Sequence, residues 1–169
     1  MIWVCPLSKV EATVISTQAE RLLSLLAPGT AMTRPASIAQ HNHLYLSLHD
    51  IAAPQEGMTL PGAAHMRALL EFAEGWDRAR PLVINCYAGI SRSTASAYII
   101  AAALQPARDE RELAEMLRRV SPSATPNPRL IALADEIFGR DGRMVDAVQS
   151  IGRGAEAFEG VPFELDIGR

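Results

Sequence analysis

The sequence has few cysteines, no excess of positive charge and no long apolar run, and each of these absences excludes a class of protein. Its 169 residues include 2 cysteines, too few for the disulfide framework of a small secreted domain. A formal net charge of −3 gives no basic field for nucleic acid or an anionic membrane surface. The most apolar run, residues 95–104, is about half of the roughly 20 residues that a membrane span needs.

The rest of the composition is typical of one compact domain. About half of the residues are hydrophobic, and the length predicts a single domain over residues 1–169 that buries a sizeable core. Residues 1–6 have neither the basic segment nor the long apolar core of a signal peptide, so we expect no targeting segment. We find no internal repeat and no low-complexity segment.

The most informative stretch, residues 81–94, reads PLVINCYAGISRST. Residues 82–84 predict a buried strand and residues 93–104 predict a helix, so residues 86–92 form the turn between them. At such a turn the unpaired amides and the helix dipole favour an anion. We therefore predict that a tetrahedral oxyanion binds to the backbone of this loop, whose interior residues are Tyr87, Ala88, Gly89, Ile90 and Ser91.

Cys86 and Arg92 supply the reactive side chains of this predicted anion site. The planar guanidinium of Arg92 can grip two oxygens of the anion at once. The same field favours a thiolate at Cys86, which makes this residue a nucleophile beneath a bound phosphate. A Cys-x5-Arg spacing alone is a weak signal, but Gly89 allows a close backbone approach and Ser93 places a hydroxyl beside the loop.

The stretch CYAGISRST, residues 86–94, resembles the active-site loop of the cysteine-based protein tyrosine phosphatase superfamily, and most of all that of its bacterial dual-specificity-like members. The resemblance is specific over residues 86–94 and loose over the rest of residues 43–138. It implies a protein tyrosine or dual-specificity phosphatase that works through a phosphocysteine intermediate and needs neither a metal nor another cofactor. It also implies that Ser93 hydrogen-bonds the thiolate when Cys86 leaves in the second step.

Asn85 departs from the family pattern, which usually has a histidine immediately before the nucleophile. In the family that histidine helps to order the loop, whereas an asparagine offers only neutral amide hydrogen bonds. We therefore expect Asn85 to support the loop less well, with reduced rather than absent turnover.

Asp50 is the predicted general acid. Residues 43–49 alternate as a strand, and Asp50 follows this strand at the start of a loop. Because ligands of parallel sheets bind beyond the carboxyl ends of the strands, Asp50 and Cys86 are expected to share one cleft. Glu56 is the second choice for the acid. The resemblance implies that a Pro-Asn pair braces the loop, and Asn127 fits this role, although it equally fits a plain helix N-cap.

Strands that alternate with helices predict an α/β fold with three layers and a mainly parallel central sheet of about four to five strands, as in protein tyrosine phosphatases. Residues 22–26 fit either a second strand or the continuation of a first helix. The tail, residues 153–169, is expected to dock on the body through its apolar residues. The other predicted elements are a strand at residues 2–5 and helices at residues 7–16, 61–76, 109–120, 130–138 and 144–151.

Histidine and cysteine side chains outside this loop are interpreted as structural rather than functional. His41, His43 and His49 lack the further ligands that a zinc site requires, so we predict no metal site. Cys5 is interpreted as a buried strand cysteine.

Two alternative functions remain open from the sequence. One is a catalytically weakened pseudophosphatase that binds phosphorylated partners, and the other is a rhodanese-like sulfurtransferase. The loop interior has no lysine or arginine, which favours a phosphorylated protein or a small phosphomonoester over a polyphosphorylated lipid. We expect no nucleic-acid or membrane partner. A reactive thiolate needs reducing conditions, so the expected location is cytoplasmic. The oligomeric state stays open.

Overall fold

The sheet of this protein places the strand that leads to Cys86 at its centre. The computed structural model describes residues 1–168, and within them the strands are β1 Ile2–Pro6, β2 Arg21–Leu26, β3 His43–Ser47, β4 Leu82–Cys86 and β5 Phe163–Leu165. The spatial order is β3-β2-β4-β1-β5. The first four strands pair in parallel, and β5 pairs antiparallel with β1. The predicted α/β fold with a mainly parallel sheet is therefore confirmed.

Helices cover both faces of this sheet. They are α1 Val10–Thr17, α2 Ala63–Glu74, α3 Arg92–Leu104, α4 Glu110–Val120, α5 Pro128–Phe138 and α6 Arg143–Ser150. Helix α1 packs on one face with a small apolar cluster that includes Cys5 and Val83. The other helices share a larger core on the opposite face, to which the neighbouring strand residues Val4 and Ile84 point. Helix α3 lies deepest, because its run of alanines and isoleucines suits close contact on every side.

Two segments concern predictions that the sequence left open or that the structure corrects, namely residues 21–26 and the tail. Residues 21–26 form strand β2, which is buried on both faces, and this explains why the segment has no helical or alternating period. The tail contributes β5, which the sequence did not predict as a strand. Phe163 and Leu165 of β5 are buried, whereas the side chains of Phe158 and Val161 are 92% and 80% exposed. The tail therefore packs on the body through Phe163 and Leu165, as expected. The same expectation is wrong for Phe158 and Val161.

Parallel pairing brings the functional segments to one edge of the sheet. Strands β3 and β4 end at this edge, with Asp50 shortly after β3 and Cys86 as the last residue of β4. Helix α3 starts at Arg92, directly after the loop. The N-terminus of α5, capped by Asn127, reaches the same place. The fold thus gathers residues that are far apart in the chain around the turn between β4 and α3.

Candidate active site

Cys86 lies at the bottom of the loop that joins β4 to α3, and its side chain is only 2% exposed. The Ser93 hydroxyl, in the first turn of α3, lies 3.1 Å from the Cys86 sulfur. Ser93 itself is fully buried, so this contact is shielded from water. A hydroxyl at this distance can donate a hydrogen bond to a thiolate and stabilise its negative charge.

The carbonyl groups of the loop point outward, away from the space above Cys86. Four of them, the carbonyls of Tyr87, Ala88, Ile90 and Ser91, accept a hydrogen bond from a backbone N–H elsewhere in the chain. In a trans peptide the N–H points opposite to the preceding carbonyl, so the amides of the residues that follow turn inward. The pairs are Leu7 N to Tyr87 O at 3.0 Å, Gly160 N to Ala88 O at 2.7 Å, Thr125 N to Ile90 O at 2.9 Å and Asn127 N to Ser91 O at 3.3 Å.

This arrangement supplies amide donors that converge on one point, as an oxyanion requires. By the same geometry the inward N–H groups belong to Ala88, Gly89, Ser91 and Arg92. Such a ring of amides at a helix N-terminus binds tetrahedral anions. The loop is therefore chemically suited to the phosphate that its sequence predicts.

Gly89 is needed for this loop conformation. Its φ angle is +69°, a left-handed value that residues with a side chain rarely adopt. A Cβ atom at this position would lie 2.6 Å from the backbone nitrogen of Pro6, at the end of β1. Both observations exclude any side chain here without movement of the loop or the strand.

Arg92 is held with its guanidinium inside the protein. The residue is 6% exposed, and one terminal nitrogen donates to the carbonyl oxygen of Leu48 at 2.9 Å. Its Nε is buried and has no hydrogen-bond partner within residues 1–168. An unsatisfied buried donor costs about 1 to 3 kcal/mol, and a phosphate oxygen is the kind of acceptor that would satisfy it.

Asp50 is joined to the loop by hydrogen bonds, although it lies on a different strand end. The Ser91 hydroxyl donates to Asp50 Oδ1 at 2.7 Å, and Asn127 Nδ2 donates to the same oxygen at 2.8 Å. Both bonds are accepted by Oδ1, and no hydrogen bond to Oδ2 is formed within residues 1–168. Asp50 is exposed, so a leaving group and water can reach it.

Asn127 both caps helix α5 and supports the active-site loop, whereas the sequence left these two roles as alternatives. Its side-chain oxygen caps α5 by accepting from the amides of Arg129 and Leu130 at 3.0 and 3.1 Å. Its side-chain nitrogen holds Asp50, and its backbone amide holds the carbonyl of Ser91. The helix cap and the brace on the loop are therefore the same residue.

Asn85 is fully buried at the end of β4. Its side-chain oxygen accepts a hydrogen bond from the Ser24 hydroxyl at 2.7 Å, and its side-chain nitrogen approaches the Cys86 carbonyl oxygen at 3.5 Å. Ser24 also lies 2.9 Å from the Nε2 atom of His43. The loop support that we expected from Asn85 thus involves two further polar residues that the sequence did not single out.

The remaining predicted residues play smaller parts in the geometry. Glu56 is exposed on the loop after β3, and no hydrogen bond joins it to the anion loop within residues 1–168. Cys5 is buried beside the site, and this burial raises the pKa of its thiol to about 12. Thr125 and Gly160 were missed, because a backbone contact to the loop leaves no signal in the sequence.

Among residues 1–168, no helix has both the length and the apolar character to cross a membrane. In the same residues, no group of three or more histidine, cysteine, aspartate or glutamate side chains is arranged to hold a metal ion. His49, one of the three histidines considered above, instead accepts a hydrogen bond from the amide of Thr59 at 2.8 Å.

The fold matches solved phosphatase structures, although no family model and no curated protein matches the sequence. Human DUSP28 superposes with a TM-score of 0.63 at 15% identity, over 82% of this chain and 92% of that chain. PTPMT1 in complex with PI(5)P gives a TM-score of 0.64 at 13% identity, over 83% and 91% of the two chains. A human tyrosine phosphatase-like serine/threonine/tyrosine-interacting protein gives 0.64 at 15% identity, over 83% and 92%.

These similarities establish the fold. The chain has the fold of the dual-specificity and tyrosine phosphatase structures that it matches.

Proposed function

We propose that this protein is a phosphate monoester hydrolase that acts through a phosphocysteine intermediate. The observation that carries the proposal is the outward hydrogen bonding of four loop carbonyls, which turns the following amides toward Cys86, together with the buried Arg92. In the first step the Cys86 thiolate attacks phosphorus and the bond to the ester oxygen breaks. The loop amides and Arg92 bind the three equatorial oxygens as charge develops on them.

Asp50 serves as the acid and then as the base. In the first step its Oδ2 proton passes to the leaving oxygen, so that the product leaves as a neutral alcohol or phenol. In the second step the ionised Asp50 takes a proton from water, the water oxygen bonds to phosphorus, and the sulfur–phosphorus bond breaks. The Ser93 hydroxyl, 3.1 Å from the sulfur, stabilises the departing thiolate.

The substrate class that fits best is a phosphorylated protein, with phosphotyrosine as the first choice. The PTPMT1 structure holds the phosphoinositide PI(5)P, but here the loop interior offers no lysine or arginine for a multiply charged headgroup. A groove of about 840 Å³ is lined by Ile90 and Ser91 of the loop and also by Phe158. Such a groove has room for the residues that flank a phosphorylated side chain.

The position of Phe158 supports a polypeptide substrate. Its ring is 92% exposed, yet the backbone on both sides is held: Gly154 N donates to Thr125 Oγ1 at 3.1 Å and Gly160 N donates to Ala88 O at 2.7 Å. A rigid backbone that presents an exposed aromatic ring loses little entropy when the ring is covered. We propose that this ring contacts the substrate chain next to the phosphorylated residue. We also propose a reducing, cytoplasmic location, because an oxidised Cys86 cannot attack phosphorus.

The test compares two aryl phosphates under reducing conditions between pH 4.5 and 8. Phosphotyrosine has the poorer leaving group and para-nitrophenyl phosphate the better one. We expect Cys86→Ser to abolish hydrolysis of both, and Asp50→Asn to lower kcat far more for phosphotyrosine than for para-nitrophenyl phosphate. Glu56→Gln is the matched control and should leave both rates unchanged.

Three outcomes would contradict the proposal. Hydrolysis of neither compound by the pure wild-type protein would show that the loop does not cleave a phosphate ester. An Asp50→Asn variant with the same fractional loss for both substrates would show that Asp50 is not the acid. If thiosulfate were consumed instead, the sulfurtransferase alternative would replace the phosphatase.

A further inference from the structure

A row of polar side chains, in which Ser24 and Asn85 are fully buried and His43 is half-buried, crosses the sheet behind the nucleophile. The pairing of β2 with β4 sets Ser24 directly beside Asn85, and His43 lies at the start of the next strand, β3. Ser24 and Asn85 are fully buried in a layer that is otherwise apolar. Buried polar groups in such a layer carry a cost unless each is paired, so their arrangement calls for a reason.

The hydrogen bonds in this row run in one direction. Ser24 Oγ lies 2.7 Å from Asn85 Oδ1, and because a carbonyl oxygen only accepts, the hydroxyl donates. Ser24 Oγ also lies 2.9 Å from His43 Nε2, and since the serine proton is already used, the imidazole N–H donates to the serine oxygen. Asn85 Nδ2 then faces the Cys86 carbonyl oxygen at 3.5 Å. The chain of donors therefore points from His43 toward the nucleophile.

This direction has a chemical consequence at the loop. The Cys86 carbonyl belongs to the first peptide group of the loop, and the N–H of that peptide, on Tyr87, lies on the opposite side of the peptide plane. A donor on the carbonyl fixes this plane and makes its N–H more positive. Hydrogen bonds in a chain polarise one another, so a donor at His43 strengthens the bond that Asn85 makes.

We propose that His43 and Ser24 are positioning residues that act through Asn85 to hold the first peptide of the loop and to favour the Cys86 thiolate. Together they replace the single histidine that is usual before the nucleophile. The inference rests on the proposed phosphatase function for its catalytic consequence, although its effect on Cys86 is measurable without turnover.

The surroundings of His43 agree with this role. Burial, with a smaller contribution from the positive charge of Arg34, lowers the pKa of His43 below its usual value. The other ring that faces it is Tyr45, edge-on with centroids 6.3 Å apart. His43 is thus held as a neutral imidazole at neutral pH, and the tautomer with its proton on Nε2 is the donor that Ser24 needs.

The experiment uses four variants of the full chain. His43→Leu removes the donor, His43→Gln keeps a donor near the position of Nε2, Ser24→Ala breaks the row, and His41→Leu is an exposed neighbour that serves as the control. Thermal unfolding first identifies any variant that does not fold.

The readouts are kcat and KM for para-nitrophenyl phosphate, the pH profile of kcat/KM, and the rate at which iodoacetate alkylates Cys86 near pH 6. We expect His43→Leu to lower both kcat and the alkylation rate about three- to tenfold, as the loss of one hydrogen bond does, with KM nearly unchanged. The acidic limb of the profile should move to higher pH. His43→Gln and His41→Leu should match the wild type, and Ser24→Ala should lose at least as much as His43→Leu.

Two results would overturn the inference. One is an alkylation rate for His43→Leu within twofold of the wild type. The other is a His43→Gln variant as impaired as His43→Leu, since this would show that the ring is needed for packing rather than for donation. A wild type that is alkylated rapidly but hydrolyses nothing would refute the phosphatase function alone, because the alkylation rates still test the row.

Discussion

Replacing Asn127 with alanine separates the helix cap from the catalytic brace, because the chain contains a second helix cap for comparison. Asp109 caps α4 in the same way, accepting from the amides of Arg111 and Glu112 at 2.9 and 3.0 Å. Asp109 has no bond to the active-site loop within residues 1–168. Asn127→Ala and Asp109→Ala therefore remove equivalent caps, and only the first removes a contact with Asp50.

The expected magnitudes follow from these contacts. Loss of a cap costs about 1 kcal/mol, which lowers the Tm of a chain of this size by roughly 2 to 4 °C. Asn127→Ala also loses a hydrogen bond to a carboxylate. Hydrogen bonds to charged groups usually contribute about 1.5 to 3 kcal/mol, and because Asp50 is exposed we reduce this to about 1 kcal/mol. We therefore expect Asp109→Ala to lose one such increment of stability and Asn127→Ala about two.

The activities should differ far more than the stabilities. General acid catalysis contributes about 10²- to 10⁴-fold, and it depends on the position of the acid. We expect Asn127→Ala to lower kcat for phosphotyrosine at least about tenfold, while Asp109→Ala keeps the wild-type value. The assay is steady-state kinetics well below both melting temperatures. Equal kcat values for the two variants would refute the reasoning, because Asn127 would then be only a helix cap.

Three further predictions rest on the same structure. Burial raises the pKa of Cys5 to about 12, so this thiol stays protonated near neutral pH. Mass spectrometry after brief iodoacetamide treatment should therefore find the label on Cys86 alone. A label on both cysteines would contradict this prediction. Phe158→Ala should lower kcat/KM for a phosphotyrosyl peptide about fivefold, as loss of one exposed aromatic contact does. The kcat/KM for para-nitrophenyl phosphate should be unaffected. An equal loss for both substrates would argue against the groove as the binding site of the peptide. In Gly160→Ala the new Cβ would lie 2.8 Å from the carbonyl oxygen of Gly89. This contact would displace the anion loop, so vanadate should bind more weakly to the variant. Unchanged vanadate affinity would show that the loop does not depend on this contact.

The sequence predicted the centre of the site because its parts are adjacent in the chain. A strand, a short loop with Gly89 and a helix that starts at Arg92 together define the local geometry, whatever surrounds them. Asp50 was predicted from one further rule, that parallel strands end at a common edge. The hydrogen bonds that tie Asp50 to Ser91 and Asn127 are consistent with that rule.

The support of the site was not predictable in the same way, because it depends on strand register. Ser24 meets Asn85 only because β2 pairs with β4 at that position, and no pattern in either segment reveals the pairing. The exposure of Phe158 was missed for a related reason: hydrophobicity alone does not distinguish a residue that packs from one that a fixed backbone holds outward. The short strand β5 has too few residues to show alternation.

Two backbone contacts of the loop come from segments that precede and follow it in the sequence. The Leu7 amide, next to the first strand, holds one loop carbonyl, and the Gly160 amide, just before the last strand, holds the neighbouring one. During synthesis on a ribosome Leu7 emerges before the loop, whereas Gly160 emerges after it. A nascent chain that already contains Cys86 and Arg92 therefore lacks a finished anion cradle. Under the proposed function, a product truncated before Gly160 would carry Cys86 in a loop that lacks one of its backbone supports.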